Sequence, residues 1–394
     1  MDKVVLAYSG GLDTSVAVKW LKEEKNLDVI CYSSDVGQGV DKMKLKKRAM
    51  AAGASKIYIE DVKKEFVDKF CFPALKANAV YEGKYLLATA LSRPLIAEKL
   101  VEVAKKEKAG YVAHGCTGKG NDQVRFEVSV AALAPGIKVI APVREWDLVS
   151  RDAEIDYAAK HGIPIDVTKK SPYSIDKNLW GISIECGVLE DPWAQPPEAA
   201  YQMTKSPKSA PNKTVAIEIG FEKGIPKSLN GKNMGSVELL EKLNKIGGDN
   251  AIGRADLVEN RLVGIKSREI YEAPAASILL SAHREIENLV LDRELAHFKE
   301  LIALKYAELV YYGLWHSPLK KALDAFIDKT QEKVTGTVKL GLYKGNITCL
   351  GRKSPNSLYK KDLATYEESS KFNQRLAEGF ISLWAMPYKG SLKS

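Results

Sequence analysis

An α/β fold is what this sequence predicts, an N-terminal doubly wound parallel sheet followed by a second α+β domain and a C-terminal helical arm, and three observations carry it. Short β-branched runs alternate with amphipathic helical stretches through the first 168 residues, the pattern of βαβ units with a sheet covered on both faces. A glycine-rich run stands between the first of those strands and the first of those helices. Beyond residue 168 the rhythm gives way to alternating strands, a hairpin turn and longer helices. A chain of 394 residues also exceeds the roughly 250 to 300 at which a single core stops growing, so more than one domain is expected.

Taken in order, buried strands are expected at Val4–Tyr8, Asp28–Asp35, Lys56–Asp61, Gly110–Gly115, Lys138–Val143 and Ile163–Thr168. Thr14–Lys25 reads as a helix, because Val16 and Trp20, and Ala17 and Leu21, recur four residues apart. In such a sheet ligands bind beyond the carboxyl ends of the strands, so functional loops should follow strands. Pro192–Pro211, rich in Pro, Lys and Ser, reads as an extended connection over the surface. Val215, Ile217, Ile219 and Phe221 then alternate as a half-buried strand should, and Lys344-Gly345-Asn346 marks a hairpin. Helical periodicity runs over Ser236–Ile246, Ser277–Val290 and Asp292–Tyr312. The last helix, Lys371–Trp384, carries Phe372, Phe380, Ile381 and Trp384, more apolar surface than a small terminal helix buries alone, so it is expected at a subunit interface. These boundaries divide the chain into 1–168, 169–365 and 366–394.

Composition narrows the function classes. A hydrophobic fraction of 45% and a charged fraction of 28% are those of a globular protein, not of a disordered or fibrous one. No apolar run reaches the about 18 residues of a membrane helix, and Met1–Tyr8 enters a strand pattern without a preceding signal segment, so a cytoplasmic chain with no membrane partner is expected. The five cysteines, Cys31, Cys71, Cys116, Cys186 and Cys349, are odd in number and scattered, suggesting neither disulfides nor a zinc site. A net charge of +9 suits a protein that handles anions, but the lysines are dispersed. The densest run, Lys42–Arg48, reads as the solvated face of a helix, and no nucleic-acid partner is expected.

The run Ser9-Gly10-Gly11-Leu12-Asp13-Thr14-Ser15 lies where free backbone N–H groups and the helix dipole attract phosphate. Its glycines let the backbone approach a phosphate chain, Ser9, Thr14 and Ser15 add hydroxyls, and Asp13 can serve the helix terminus or a metal-bound phosphate. The plainer reading is a serine-capped turn. No window, Gly115–Gly120 included, supplies the lysine of a Walker A loop, and Gly37-Gln38-Gly39 lacks the third glycine of a dinucleotide fingerprint at Lys42. The seven-residue run resembles the PP-loop of ATP pyrophosphatases, which cleave ATP between its α and β phosphates to form an adenylate. That resemblance implies an adenine nucleotide alpha hydrolase-like domain. It also implies that Ala7, Tyr8, Ser9, Gly10, Gly11, Leu12, Asp13, Thr14 and Ser15 wrap the pyrophosphate and ribose of ATP, with Ser34 near the adenine.

A second stretch, His114-Gly115-Cys116-Thr117-Gly118-Lys119-Gly120-Asn121-Asp122-Gln123-Val124-Arg125-Phe126-Glu127, follows a strand and opens a helix near Asn121. There Asn121 and Arg125 lie one turn apart and offer an amide and a guanidinium to a carboxylate, while Asp122 suits an ammonium. A local Asp122 to Arg125 pair is the plainer alternative. Cys116 reads as a small loop residue, not a nucleophile, having no activating partner beyond His114. With Tyr85-Leu86-Leu87-Ala88-Thr89, Ser92-Arg93-Pro94, Ser171–Trp180, Gly181–Glu185, Val258–Arg261 and Lys266–Glu272, the chain resembles the argininosuccinate synthase family along nearly its whole length. The resemblance implies condensation of L-citrulline with L-aspartate at the expense of ATP, through a citrullyl-adenylate, by a homotetramer. It also implies that Tyr85, Thr89, Arg125, Ser174, Ser183, Glu259 and Tyr271 hold citrulline, that Thr117, Asn121 and Asp122 hold aspartate, and that Gly115 touches ATP. Asp13, Asp122 and Arg125 are the residues expected at the catalytic centre. Mg2+ is expected as a companion of the phosphates, with no metal site built from protein ligands. Ala90 is a departure, since some relatives carry a serine there that contributes to citrulline binding.

Overall fold

The computed structural model describes residues 1–164 and 173–390. The first sheet is made of β1 (Lys3–Ala7), β2 (Asp28–Asp35), β3 (Lys56–Asp61), β4 (Tyr111–His114) and β5 (Lys138–Ile140), all parallel, in the order β3-β2-β1-β4-β5. β5 stops before the expected Val143 because Pro142 cannot donate to a ladder and instead opens the helical turn Pro142–Glu145. β3 was expected to be buried, yet none of its residues is, since it forms the sheet edge. Most of the strand expected over Ile163–Thr168, the boundary at residue 168, and Ser171 and Pro172 of the Ser171–Trp180 run lie outside the described residues.

Two helices flank the sheet's opening strands, α1 (Leu12–Glu23) and α2 (Lys42–Ala51). Side chains of β1 alternate between two cores, as the pleat demands. Val4 and Leu6 share one with Val16, Ala17 and Leu21 of α1, whereas Val5 shares the other with Ala97, Leu100 and Val101 of the helix Ala88–Glu107. Each fully buried aliphatic side chain contributes on the order of 1.5–3 kcal/mol, which fixes the register of a sheet that has no exposed face. The strand order reverses at β1: β2 and β3 lie to one side, β4 and β5 to the other, and Ala7 stands opposite His114. A crevice therefore opens beyond the ends of β1 and β4.

The second half builds two antiparallel sheets from β6 (Ser174–Lys177), β7 (Ile182–Glu185), β8 (Val215–Glu222), β9 (Ile225–Leu229), β10 (Lys232–Asn233), β11 (Arg254–Asn260), β12 (Lys266–Glu272), β13 (Gly336–Tyr343) and β14 (Asn346–Lys353). Their orders are β11-β12-β7-β6 and β10-β9-β8-β13-β14. Ile217, Ile219 and Phe221 are buried as the alternation predicted. Tyr343 pairs with Asn346 across Lys344 and Gly345, whose φ angles of 47° and 91° make the tight hairpin turn. Helices span Ser236–Asp249, Pro274–Val290 and Arg293–Tyr311, close to expectation. A further helix, Pro318–Gln331, was missed although Ser317 caps it by accepting from Lys320 N–H and Pro318 sits in its first turn.

One large core joins the halves. Phe66, Phe70, Phe72 and Leu91 share it with Leu239, Ile278, Tyr306 and Leu340, and Phe70 stacks on Trp315 at 4.8 Å. The connection over Pro192–Pro211 leaves Trp193 exposed but is pinned near its end. There the fully buried carboxylate of Glu272 accepts the N–H groups of Gln202, Met203 and Thr204 and the Thr204 hydroxyl at 2.6–3.0 Å. Four donors on one carboxylate outweigh its desolvation. The terminal helix Leu376–Trp384 buries nothing, and Phe372, Phe380, Ile381 and Trp384 are all more than half exposed. Among the described residues no helix is long and apolar enough to cross a membrane.

Candidate active site

A cleft of about 890 Å³ opens at the crevice between β1 and β4. The glycine-rich loop forms its floor. Gly11 is the N-cap of α1 and supplies no side-chain cap, so the first-turn N–H groups stay available to an anion. Gly10 has φ +77°, and a Cβ there would fall 2.4 Å from Leu45 Cδ1 of α2. Its carbonyl accepts from the Arg48 guanidinium. Ser9 Oγ bridges Gly11 N–H at 3.2 Å and Thr14 Oγ1 at 3.1 Å. Ala7, Tyr8, Ser9, Asp13 and Thr14 line the cleft, whereas Gly10, Leu12 and Ser15 are buried behind them and Gly11 is exposed outside its lining. The Ser15 hydroxyl, expected to face phosphate, turns inward to the Tyr8 hydroxyl at 3.1 Å.

Positive charge reaches the edge of this lysine-free loop from α2. Lys44 and Arg48, one turn apart on α2, both line the cleft, while Leu45 and Ala49 anchor the helix in the core. Lys42–Arg48 is thus not wholly the solvated face the sequence suggested. The spacing of a basic i,i+4 pair beside a buried i,i+4 pair was the available signal. On the loop's other flank Glu154, buried and facing Asp13, is pushed up to about 8, first by burial and then by the neighbouring carboxylate. Ser34 is buried at the cleft wall and donates to the Tyr32 hydroxyl at 3.0 Å.

The loop after β4 packs against this floor: a Cβ on Gly115 would lie 2.9 Å from Thr14 Cγ2. His114 holds the loop's base. Its Nδ1 accepts Cys116 N–H at 3.2 Å, so Nε2 carries the proton toward Glu127 at 3.1 Å. Imidazole is thereby committed, and burial pushes the Cys116 thiol up, which removes it as a nucleophile. Gln123 closes the turn, its Nε2 donating to the carbonyls of Gly118 and Gly120. Thr117 is exposed on the loop and lines the cleft.

The helix Asn121–Leu133 starts where expected, but its fork forms only in part. Asn121 spends its amide on the protein, Nδ2 donating to the Tyr311 hydroxyl at 2.8 Å and Oδ1 accepting Leu262 N–H at 2.9 Å. Arg125, 4% exposed, donates through Nε to the Tyr311 carbonyl and through Nη1 to Asp122, leaving Nη2 buried without a hydrogen-bond partner among the described residues. A buried guanidinium nitrogen with no acceptor is a strong carboxylate site. The local Asp122 to Arg125 pair is present at 2.8 Å. Asp122 also receives Arg93 Nε and Nη2, at 2.9 and 2.7 Å, and Arg93 reaches on to Asp176. Burial opposes the Asp122 charge, but Arg93 and then Arg125 hold its carboxyl down at about 2.

The remaining wall comes from the second half and from the segment before the Ala88–Glu107 helix. Tyr85 places its hydroxyl to accept the N–H groups of Thr89 and Ala90, at 3.0 and 3.2 Å, capping that helix. Its ring stacks on Tyr271 at 4.2 Å. Thr89 and Ser183 share a hydrogen bond of 3.1 Å, and Ser174 sits at the exposed rim. Ala90 is fully buried and does not line the cleft. The Tyr271 hydroxyl lies between Glu259 and Glu269, and the Tyr311 hydroxyl donates to the other oxygen of Glu259. Burial and the charge of Glu269 push Glu259 up to about 7. Arg261 bridges Glu185 and Glu269 behind it. Arg93, Asp176, Glu185, Arg261, Glu269 and Tyr311 went unassigned in the sequence reading; Arg93, Asp176, Glu185, Arg261 and Tyr311 each meet a partner far along the chain, whereas Glu269 meets Tyr271 and Arg261 within eight residues.

A parallel sheet whose switch point carries a lysine-free glycine loop, walled by buried ion pairs suited to amino-acid termini, defines a nucleotide-binding α/β protein of the PP-loop class. Residues 3–164 match the family described as arginosuccinate synthase N-terminal HUP domain, and residues 173–391 match the arginosuccinate synthase C-terminal domain. The argininosuccinate synthase of Carboxydothermus hydrogenoformans is 59% identical over 388 residues, 98% of this chain and 97% of that one. That of Pelotomaculum thermopropionicum is 57% identical over 389 residues, 99% and 97% of the two chains. The chain belongs to the argininosuccinate synthase family.

Proposed function

We infer that this cleft condenses L-citrulline with L-aspartate, consuming ATP and releasing AMP and pyrophosphate, a reaction of arginine biosynthesis. What supports the reading above all is that the residues expected for ATP, citrulline and aspartate, drawn from both halves of the chain, converge on one cleft. The ureido oxygen of citrulline attacks the α-phosphorus of ATP, forming an O–P bond as pyrophosphate leaves. The aspartate amine, as the free base, then attacks the ureido carbon, AMP departs, and the surplus proton is lost from the new nitrogen. Neither step needs a covalent protein intermediate; the chain aligns reactants and neutralises charge.

In this reading the loop at Ser9–Thr14 holds the departing phosphates, with Lys44 and Arg48 adding positive charge. Arg125 Nη2 takes the α-carboxylate of citrulline and Glu259 its ammonium, with Tyr85, Thr89, Ser174, Ser183 and Tyr271 around them. Thr117, Asn121 and Asp122 face aspartate. A Mg2+ ion would be held mainly by the phosphates, and Asp13, which lines the cleft beside the loop, would offer it a carboxylate. Such an ion would offset charge on the leaving pyrophosphate.

The assay supplies the protein with ATP, citrulline and aspartate. Equal amounts of AMP, pyrophosphate and argininosuccinate are expected, with citrulline-dependent exchange of pyrophosphate into ATP before aspartate is added. Formation of ADP and phosphate would overturn the reading. Because Glu259 is pushed up to about 7, it is neutral below that pH and ionised above it. kcat/KM for citrulline is therefore expected to fall about tenfold per unit on the acid side of pH 7 and to level above it. A profile flat from pH 6 to 8 would remove Glu259 as the ammonium's partner.

We also read the chain as a cytoplasmic homotetramer divided into a nucleotide-binding part (1–168), a synthetase and multimerisation part (169–365) and an oligomerisation helix (366–394). The uncovered apolar face of Leu376–Trp384 supports the last of these. Deleting the residues after Ser369 is expected to lower the native mass in light scattering; an unchanged mass would refute the assignment.

A further inference from the structure

Tyr311 belongs to none of the ligand sets above, yet three of their members converge on it. It ends the helix Arg293–Tyr311 and is fully buried. Its hydroxyl accepts from Asn121 Nδ2, its carbonyl accepts from Arg125 Nε at 2.9 Å, and its ring lies 4.8 Å from the Arg125 guanidinium. The ring also stacks on Tyr81 at 3.6 Å, within 8° of parallel. Just beyond, Gly313 has φ +74°, and a Cβ there would lie 2.7 Å from Arg125 Cα. The chain thus leaves the helix pressed against the Arg125 backbone.

The hydrogen bonds have one direction. Leu262 N–H fixes Asn121 Oδ1 as an acceptor, so Nδ2 faces Tyr311. With its oxygen receiving that donor, the phenol's single proton goes to Glu259 Oε1. Tyr271 occupies Glu259 Oε2 from the other side, Glu269 and Arg125 are the charged groups facing the same carboxylate, and Tyr81 lies behind. Asn121 and Arg125 stand on a helix of the first half and Glu259 on β11 of the second. One rigid aromatic side chain indexes all three.

We propose that Tyr311 is a positioning residue that sets the separation between Arg125 and Glu259, and with it the selection of an α-amino acid by the spacing of its carboxylate and ammonium. The proposal rests on the reading that these two groups hold citrulline. Tyr311→Phe keeps the ring, the stack and the carbonyl and removes only the hydroxyl. It is expected to raise the citrulline KM about tenfold or more, with kcat within about threefold and the ATP KM unchanged. It also deprives Glu259 of a donor, so the acid limb of kcat/KM for citrulline moves to higher pH. In a Glu259→Gln background, where that limb is gone, Tyr311→Phe should add less than about twofold, since both act through one carboxylate. A Tyr311→Phe enzyme with unaltered citrulline KM and acid limb would overturn the proposal, as would full additivity with Glu259→Gln. Wild-type protein is assayed alongside: if it makes no argininosuccinate, the functional reading fails, whereas an active wild type with an unaffected variant sinks the positioning role alone.

Discussion

Replacing Arg125 with methionine is expected to lower kcat/KM for citrulline by two to three orders of magnitude. Arg125 is 4% exposed, with Asp122 on Nη1, the Tyr311 carbonyl on Nε and, among the described residues, no acceptor on Nη2. Methionine fills most of the volume but removes every donor. Breaking a buried ion pair costs about 3–5 kcal/mol, and the carboxylate of citrulline, on the proposed reading, loses the guanidinium that holds it besides. Part of that cost is relieved because Arg93 still pairs with Asp122, so the protein is expected to fold, with a melting temperature a few degrees lower. Arg125→Lys separates charge from geometry: an ammonium cannot reach Asp122, the carbonyl and a ligand in one plane, and should recover less than a tenth of the activity. If Arg125→Met keeps kcat/KM for citrulline within threefold of wild type, the carboxylate lies elsewhere.

Gly10→Ala should act on ATP instead. The left-handed backbone at φ +77° costs an alanine about 1–2 kcal/mol, and its Cβ meets Leu45 Cδ1 at 2.4 Å. Leu45 is a buried residue of α2 whose side chain borders the cleft, so relief either turns that side chain into the space beside the loop or shifts the loop away from Arg48, and either disturbs the phosphate floor. The ATP KM is expected to rise about tenfold to a hundredfold, matching 1.4–2.8 kcal/mol of lost phosphate binding. Gly231→Ala is the control, because it has φ +76° and nothing within 4 Å of the added Cβ. It should carry the backbone cost as lower thermal stability while leaving the ATP KM alone. Equal ATP affinity in Gly10→Ala and wild type would show that the loop does not grip the nucleotide.

Most of the first sheet was readable because each signal is local. Short β-branched runs marked β1, β2 and β4 to within a residue or two, and the glycine run marked the loop between β1 and α1. The exposure of β3 was not readable, since edge and centre differ only in which strands pair. Pro142 could have shortened β5, and the Ser317-Pro318 cap could have announced the missed helix; both signals stood in the sequence unused.

The site divides along the same line. By itself the sequence determined the chemistry on offer: a lysine-free anion loop, the run from His114 to Glu127, and the hydroxyls and carboxylates of the second half. Only the tertiary structure decided which of those groups remain free. Asn121 is used up by Tyr311 and Leu262, Ser15 turns away toward Tyr8, Lys44 and Arg48 are brought to the cleft beside the lysine-free loop, and Nη2 of Arg125 has no partner among the described residues. The physical reason is that a buried polar group must find its partner wherever the fold supplies one: Asp122 lies one turn from Arg125, but the Tyr311 carbonyl and hydroxyl that hold Arg125 and Asn121 lie 186 and 190 residues away along the chain, beyond the reach of any local pattern.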